Sequence, residues 1–200
     1  MEFNPARRVR REREAPGRLR FLSDEERVKL LEACKNNRSP NLYPIVVLTL
    51  STGMRKGEVI SLRWSQVNLT LGVIILDNTK NGERRRVPVR GLELLKQHGK
   101  LRRLDTDLVF PGKHTSRTGS PFELIMYWRE ALEAANVKNF HFHDLRHSRA
   151  SYLEMDGASL PEIAEVLGHK TLQMVKRYSH RAESHTANVV ERMNKKIFGC

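Results

Sequence analysis

Apolar residues recur with helical spacing along most of this chain. The pair Ser23 and Glu26 forms a capping-box pattern ahead of apolar positions, which predicts a helix over residues 23–35. Residues 42–50 are strongly apolar and are followed by Gly53, and a run of that length predicts a buried helix. Further helical patterns lie near residues 56–63, 92–104, 122–135, 144–155, 161–167 and 182–196.

The hydrophobic pattern changes between the third and fourth of these helices. Residues 73–76 and 84–89 are strand-like, and the Asn81-Gly82 dipeptide between them is typical of a hairpin turn. Lys80 therefore lies at or beside the turn, where a long side chain can project outward. The pattern as a whole predicts a mainly α (α+β) fold, a helical domain that carries one small antiparallel β-sheet.

The chain length fits one domain with flanking segments. Its 200 residues suffice to bury a substantial core. Residues 1–20 are polar and rich in arginine, and Pro16 and Gly17 break any periodicity, which predicts a flexible basic linker or arm. We expect the folded domain over residues 21–182 and a helical tail over residues 183–200.

The charge of the chain is strongly positive. Lys and Arg number 36 against 23 acidic residues, which gives a formal net charge of +13. Such a surface attracts polyanions, because each phosphate contact releases counterions from a nucleic acid. Nucleic acid is the favoured partner, and anionic membranes and heparin-like polymers are the alternatives that charge alone leaves open.

The cysteines and the apolar runs indicate where such a protein works. Cys34 and Cys200 form neither a disulfide framework nor a metal-binding cluster, which suits a reducing, cytoplasmic setting. No apolar run approaches the roughly 20 residues that a bilayer-spanning helix needs. The N-terminus also lacks the apolar centre of a signal peptide, so we expect no membrane partner.

A spaced set of side chains suits the chemistry of a phosphodiester. Guanidinium groups can bind the non-bridging oxygens, a lysine can protonate a leaving oxygen, and a tyrosine can attack phosphorus covalently. Histidines can donate hydrogen bonds or move a proton near neutral pH. The candidates, in chain order, are Arg55, Lys80, His143, Arg146, His169 and Tyr178. Because arginines can carry the electrostatic load, we expect neither a metal nor another cofactor.

Each of these residues also has an ordinary structural interpretation. A lone arginine or a lysine beside a turn is usually a solvated charge, and a lone tyrosine is usually a half-buried aromatic. His143 and His147 lie four residues apart and, with His141, could instead bind a metal, although no carboxylate or cysteine completes an obvious set. The order and spacing of the whole set favour strand cleavage.

Five local motifs resemble those of the tyrosine recombinases, the phage-integrase family. Together they cover about residues 20–182, and all six expected positions match. The motifs read Thr52-Gly53-Met54-Arg55-Lys56-Gly57-Glu58, then Thr79-Lys80-Asn81-Gly82 with Arg86-Val87-Pro88-Val89, then His143-Asp144-Leu145-Arg146-His147, then Leu167-Gly168-His169-Lys170, and finally Tyr178-Ser179-His180.

The resemblance implies a DNA breaking-rejoining fold and a defined chemistry. Tyr178 would attack the scissile phosphate of double-stranded DNA, form a 3′-phosphotyrosyl link and free a 5′-hydroxyl. Arg55 and Arg146 would hold the non-bridging oxygens. In the family the reaction proceeds in a tetramer, through a Holliday junction, without ATP or metal.

The resemblance also implies roles for the remaining residues. Lys80 would protonate the leaving oxygen, and His143 would act as acid and base near the tyrosine. His169 would hydrogen-bond the phosphate. Glu58 would support the site without touching DNA.

Two alternatives explain part of the pattern. Residues 159–169 are also similar to the first helix and turn of a helix-turn-helix regulator, which explains the charge but leaves Arg55 and Tyr178 unexplained. A type IB topoisomerase uses a similar set of residues and acts alone. Family members usually carry a core-binding domain before the catalytic one, and we expect that it has been removed from this chain.

Overall fold

The structure is a computed structural model that describes most of the chain. The described residues are 20–76, 84–89, 93–112, 119–169, 171–175, 178, 190–191 and 193–199. The basic arm predicted over residues 1–20 lies outside them, except for Arg20 at its end. Lys80, the Asn81-Gly82 turn and the first part of the predicted tail helix also lie outside the described residues.

Seven α-helices lie between residues 24 and 167 of the described structure. They are α1 (Asp24–Lys35), α2 (Leu42–Thr52), α3 (Lys56–Ile60), α4 (Glu93–Gly99), α5 (Leu124–Ala134), α6 (Asp144–Met155) and α7 (Leu160–Leu167). The predicted capping box is present at α1, where the Ser23 side chain accepts from the Glu26 N–H. A second one begins α7, where Glu162 accepts a hydrogen bond from the Ser159 N–H at 2.7 Å. Such pairs satisfy amides that a helix start leaves open.

One antiparallel sheet interrupts the helices. Its strands are β1 (Val67–Asn68), β2 (Val73–Leu76) and β3 (Arg85–Pro88), in the order β1-β2-β3. The register pairs Ile74 with Val87, and both side chains are buried. Side chains alternate between the faces of a strand, so Arg85 shares the inward face of β3 with Val87.

Two hydrophobic clusters hold these elements together. The larger one joins α1, α2, α5 and the sheet around Leu30, Ile45 and Phe110. The smaller one packs α6 and α7 against the residues that follow, and its members are Ala150, Ile163, Ala164, Leu167, Val175 and Tyr178. The smaller cluster therefore holds the end of the candidate site.

Two predicted helices end earlier than their patterns indicate. The helix predicted over residues 56–63 ends at Ile60, because the next residues pair with a distant segment. The Trp64 N–H donates to the Asp107 carbonyl at 2.8 Å, and the Val109 N–H donates to the Leu62 carbonyl at 2.8 Å. The helix predicted over residues 92–104 ends at Gly99 and continues as turns.

None of the described helices combines the length and the apolar character that a membrane crossing requires.

Candidate active site

Arg55 lies where α2 gives way to α3. Gly53 ends α2 with φ +66°, a left-handed conformation that reverses the chain and that glycine adopts without strain. Arg55 then precedes the first turn of α3, and Glu58 in that turn holds it twice. The Arg55 N–H donates to Glu58 Oε2 at 2.8 Å, and Arg55 Nη1 donates to Glu58 Oε1 at 2.9 Å. Glu58 thus fixes both the backbone and the guanidinium of Arg55.

Arg146 projects from α6 into the interior, where it is only 3 % exposed. Its Nη1 donates to the Gly53 carbonyl, and its Nη2 donates to the Leu167 carbonyl at 2.6 Å. The side chain therefore ties the end of α2 to the end of α7. A guanidinium carries five N–H donors, so these two bonds leave donors for a further acceptor.

The positive charges of this region act on one another. Burial lowers the pKa of Arg146 to about 10, and the neighbouring guanidiniums of Arg55 and Arg85 also lower it, whereas Glu58 and Tyr178 act in the opposite direction. Among the described groups that act on Arg146, and counting its own charge, three guanidiniums therefore face a single carboxylate, that of Glu58. An anionic group placed between them would offset their repulsion, and a phosphodiester is such a group.

Arg85 is a member of this cluster that the motifs did not indicate. Its Nη2 donates to the Val166 carbonyl at the end of α7, and its Nη1 lies 4.0 Å from Glu58 Oε2. Burial is the main cause that lowers the pKa of Arg85. Gly168 passes directly beneath the side chain, since a Cβ there would lie 2.8 Å from Arg85 Cδ. Arg85 therefore joins β3, α3 and α7.

Tyr178 is buried in the smaller hydrophobic cluster, with an exposure of only 2 %. Its hydroxyl oxygen lies 2.5 Å from Nδ1 of His147 on α6, which is hydrogen-bond distance. The two rings are tilted, with centroids 5.9 Å apart. In this structure the candidate nucleophile is thus held inside the protein by a histidine that lies beside Arg146 in sequence.

The other predicted site residues surround this centre. His143 caps the start of α6 and is exposed, and its ring meets that of His147 edge-on with centroids 5.0 Å apart. His169 is half-buried just after the left-handed Gly168, and its N–H donates to the Ala164 carbonyl at 2.8 Å. The position of Lys80 lies outside the described residues.

Sequence reasoning thus missed two residues of the site, although signals for both were present. His147 ends the third motif and lies one helical turn after His143, yet the only role that the sequence suggested for it was that of a possible metal ligand. The strand pattern placed Arg85 on the same face as Val87, which indicates an inward side chain.

Within the part of the chain that the structure describes, no three His, Cys, Asp or Glu side chains are placed to hold a metal ion. His141 lies 3.5 Å from Asp144 Oδ2, and His147 contacts Tyr178 instead.

Comparison with known proteins gives a consistent result. Residues 20–185 match the model of the phage integrase family. The chain is 35 % identical over 178 residues to a shufflon-specific DNA recombinase of Escherichia coli, across 88 % of this chain and 44 % of that protein. It spans about half the length of the curated relatives it matches.

Solved structures extend the likeness to the fold. The catalytic domain of bacteriophage HP1 integrase superposes with a TM-score of 0.68 at 31 % identity, covering 90 % of this chain and 98 % of that one. The XerH site-specific recombinase, bound to its difH substrate before cleavage, gives a TM-score of 0.63 at 25 % identity, covering 84 % of this chain and 52 % of that one. The predicted fold class, a helical domain with one small antiparallel sheet, is confirmed. These likenesses do not favour the helix-turn-helix regulator or the topoisomerase.

Proposed function

Because this chain belongs to the phage integrase family, we propose that it carries the catalytic site of a site-specific DNA recombinase or integrase. Its substrate is double-stranded DNA, and its reaction is cleavage and rejoining of strands through a 3′-phosphotyrosyl intermediate. The contact of the Tyr178 hydroxyl with His147, which directly follows the buried Arg146 in sequence, is the observation that carries this proposal.

The arginines supply the electrostatic part of the reaction. Charge on the non-bridging oxygens must be stabilised while phosphorus changes its ester oxygen, and fixed guanidiniums do so without reorganisation. Arg55 is fixed by Glu58, and Arg146 is fixed by two backbone carbonyls. The scissile phosphate occupies the space between them in this proposal, and neither a metal nor ATP takes part.

The remaining residues move protons and hold the phosphate. Lys80 protonates the leaving 5′-oxygen, His169 hydrogen-bonds the phosphate, and His143 serves as acid and base near the tyrosine. The His143 ring meets the His147 ring edge-on with centroids 5.0 Å apart, and His147 Nδ1 lies 2.5 Å from the Tyr178 hydroxyl oxygen. The phosphotyrosine keeps the bond energy, so that a partner 5′-hydroxyl can complete the exchange.

The assembly on DNA forms a second part of the proposal. The related XerH was solved on its difH substrate. A chain with a net charge of +13 suits the same kind of partner. We expect the whole protein to act as a tetramer on DNA in the cytoplasm of a bacterial host. Its C-terminal segment then docks onto a neighbouring protomer.

A suicide substrate tests the chemistry. A duplex carrying the recombination site of the encoding element, nicked beside the cleavage position, lets the short strand diffuse away and blocks rejoining. The wild-type protein should form a covalent adduct on a denaturing gel, with chelator present, whereas Tyr178→Phe should form none. Tight, specific binding to that duplex without any adduct would contradict the proposal.

A further inference from the structure

The contact between His147 and Tyr178 joins a proton acceptor to the atom that must lose a proton. The Tyr178 hydroxyl oxygen and His147 Nδ1 lie 2.5 Å apart, and Tyr178 is 2 % exposed. Bulk water therefore has little access to the hydroxyl in this arrangement. A phenol that attacks phosphorus needs a nearby base, and a neutral imidazole within hydrogen-bond distance is such a base.

We infer that His147 is a catalytic residue that takes the phenolic proton of Tyr178 during attack, an inference that rests on the function proposed above. The ring must then be the neutral tautomer that carries its hydrogen on Nε2, which leaves the Nδ1 lone pair to accept from the hydroxyl. His147 thus takes over the proton transfer at the tyrosine that the proposal above gives to His143, whose ring meets the His147 ring edge-on with centroids 5.0 Å apart.

The step balances in atoms and charge. The Tyr178 oxygen forms its bond to phosphorus while its proton passes to His147 Nδ1, and the bond from phosphorus to the 5′-oxygen breaks. The leaving oxygen takes a proton from a separate acid, the role proposed for Lys80. In rejoining, the 5′-hydroxyl attacks the phosphotyrosine and gives its proton back to the neutral amine of Lys80, while the imidazolium of His147 returns its proton to the tyrosine oxygen as the bond from phosphorus to that oxygen breaks.

The described surroundings favour this direction of proton transfer. The positive charge of Arg146 interacts with Tyr178 and stabilises a developing phenolate. His143 on the same helix meets the His147 ring edge-on with centroids 5.0 Å apart, and it is exposed. The charged or titratable groups that act on this pair include Arg146, whose charge interacts with Tyr178, and His143, whose ring contacts that of His147.

Substrates with sulfur in place of the 5′-bridging oxygen separate the two proton transfers. A thiolate leaves without needing a proton, so this substrate removes the need for the acid but not for the base. We expect His147→Phe and His147→Gln to form adduct about 10²- to 10⁴-fold more slowly than wild type on both substrates. The Lys80→Ala variant should regain most of its rate on the sulfur substrate.

The pH profile distinguishes a base from a side chain that only holds the tyrosine. The wild-type single-turnover rate should rise with pH and then level off, as expected when an imidazole supplies the base. The His147→Gln rate should keep rising with hydroxide, and added imidazole should rescue His147→Gly. His143→Phe should keep the wild-type shape of the profile, whatever its rate.

Each result decides the inference. Adduct formation by His147→Phe or His147→Gln at or above the wild-type rate, with folding and DNA binding intact, overturns it and leaves the proposed function standing. A His147→Gln profile that levels off like wild type also overturns it. If the wild-type protein forms no adduct on either substrate, the proposed function fails and the inference fails with it.

Discussion

At the scale of single residues, Arg146 combines a structural task with its proposed chemical one. Both terminal nitrogens of its guanidinium donate to backbone carbonyls, one at Gly53 and one at Leu167. If one partner of a buried hydrogen bond is removed, the other is left unsatisfied. The planar guanidinium reaches both carbonyls at once because it carries donors on two terminal nitrogens. A buried charge is held in place here by the ends of two helices.

We therefore expect Arg146→Lys to destabilise the protein by about 2 kcal/mol, because one ammonium cannot replace both bonds. The matched control is Arg129→Lys on the exposed face of α5, which should change stability by less than about 0.5 kcal/mol. Urea unfolding with unchanged slope measures both. Equal midpoints for the two variants would show that the two carbonyl bonds contribute nothing to stability.

The contribution of Arg146 to the stability of the protein changes with pH in a definite direction. Burial lowers the pKa of Arg146 to about 10, below its ordinary value. Up to about pH 9 the Arg146 side chain keeps its proton in both the folded and the unfolded chain. Above the folded-state pKa of about 10, the side chain loses its proton in the folded chain but keeps it in the unfolded chain. The stability difference between wild type and Arg146→Gln should therefore stay constant between about pH 6 and pH 9, and stability from this group rises with pH only beyond that range.

At the scale of secondary structure, the site depends on how β3, α3 and α7 meet. Arg85 reaches from β3 to the Val166 carbonyl of α7 and approaches Glu58 of α3. Gly168 must lack a side chain for this to happen, since its φ is +64° and a Cβ would lie 2.8 Å from Arg85 Cδ and Nε. The position of His169 follows from this junction, because it is the next residue.

A double-mutant cycle can measure this junction. Gly168→Ala should cost about 1–2 kcal/mol for the left-handed backbone alone, plus the displacement of Arg85. In an Arg85→Ala background only the backbone cost remains, so the two changes should couple by about 1 kcal/mol. Additive changes in the free energy of unfolding would show that the displacement of Arg85 does not destabilise the protein.

How well the sequence predicts the bounds of a helix depends on how far apart along the chain the residues that determine them lie. The start of α1 follows from Ser23 and Glu26, three positions apart, and Gly53 and Gly168 mark helix ends through their own conformations. The early end of α3 depends on pairing with residues near 107–109, which no local pattern reveals.

The residues of the candidate site divide in the same way, into those that local motifs indicate and those that only the packing of distant segments brings in. The motifs indicated Arg55, Arg146 and Tyr178 through short, recognisable contexts. The contacts of His147 with Tyr178 and of Arg85 with Val166 join residues 31 and 81 positions apart. Such contacts arise from the packing of α6 and β3 against α7, which a single sequence does not specify.

At the scale of the whole molecule, the net charge of +13 should dominate binding to DNA. The logarithm of affinity falls with the logarithm of salt concentration in proportion to the number of phosphates contacted. For about four contacts we expect at least a roughly 100-fold loss between about 50 and about 200 mM salt. Filter binding on an unrelated duplex measures the slope, and a flat series would show that phosphate contacts do not carry the binding.

The C-terminal segment carries apolar residues that its own domain leaves exposed. Val190, Met193, Ile197 and Phe198 are between 47 % and 67 % exposed, and residues 190–191 and 193–198 are helical. These positions follow helical spacing, so they form one apolar face. The proposed docking onto a neighbouring protomer would remove this apolar face from water.

This face is where the proposed docking onto a neighbouring protomer can be tested. Deleting residues 183–200, or changing Ile197 and Phe198 to serine, should leave binding to one DNA site intact and reduce the pairing of two sites. The control changes Lys195 and Lys196 to serine. Both lysines are exposed, so these substitutions remove charge from the same helix without removing apolar area. Native gels with two labelled sites separate the steps. Normal pairing by the deletion variant would mean that protomers meet through another surface, and a loss shared by the lysine control would assign the effect to charge.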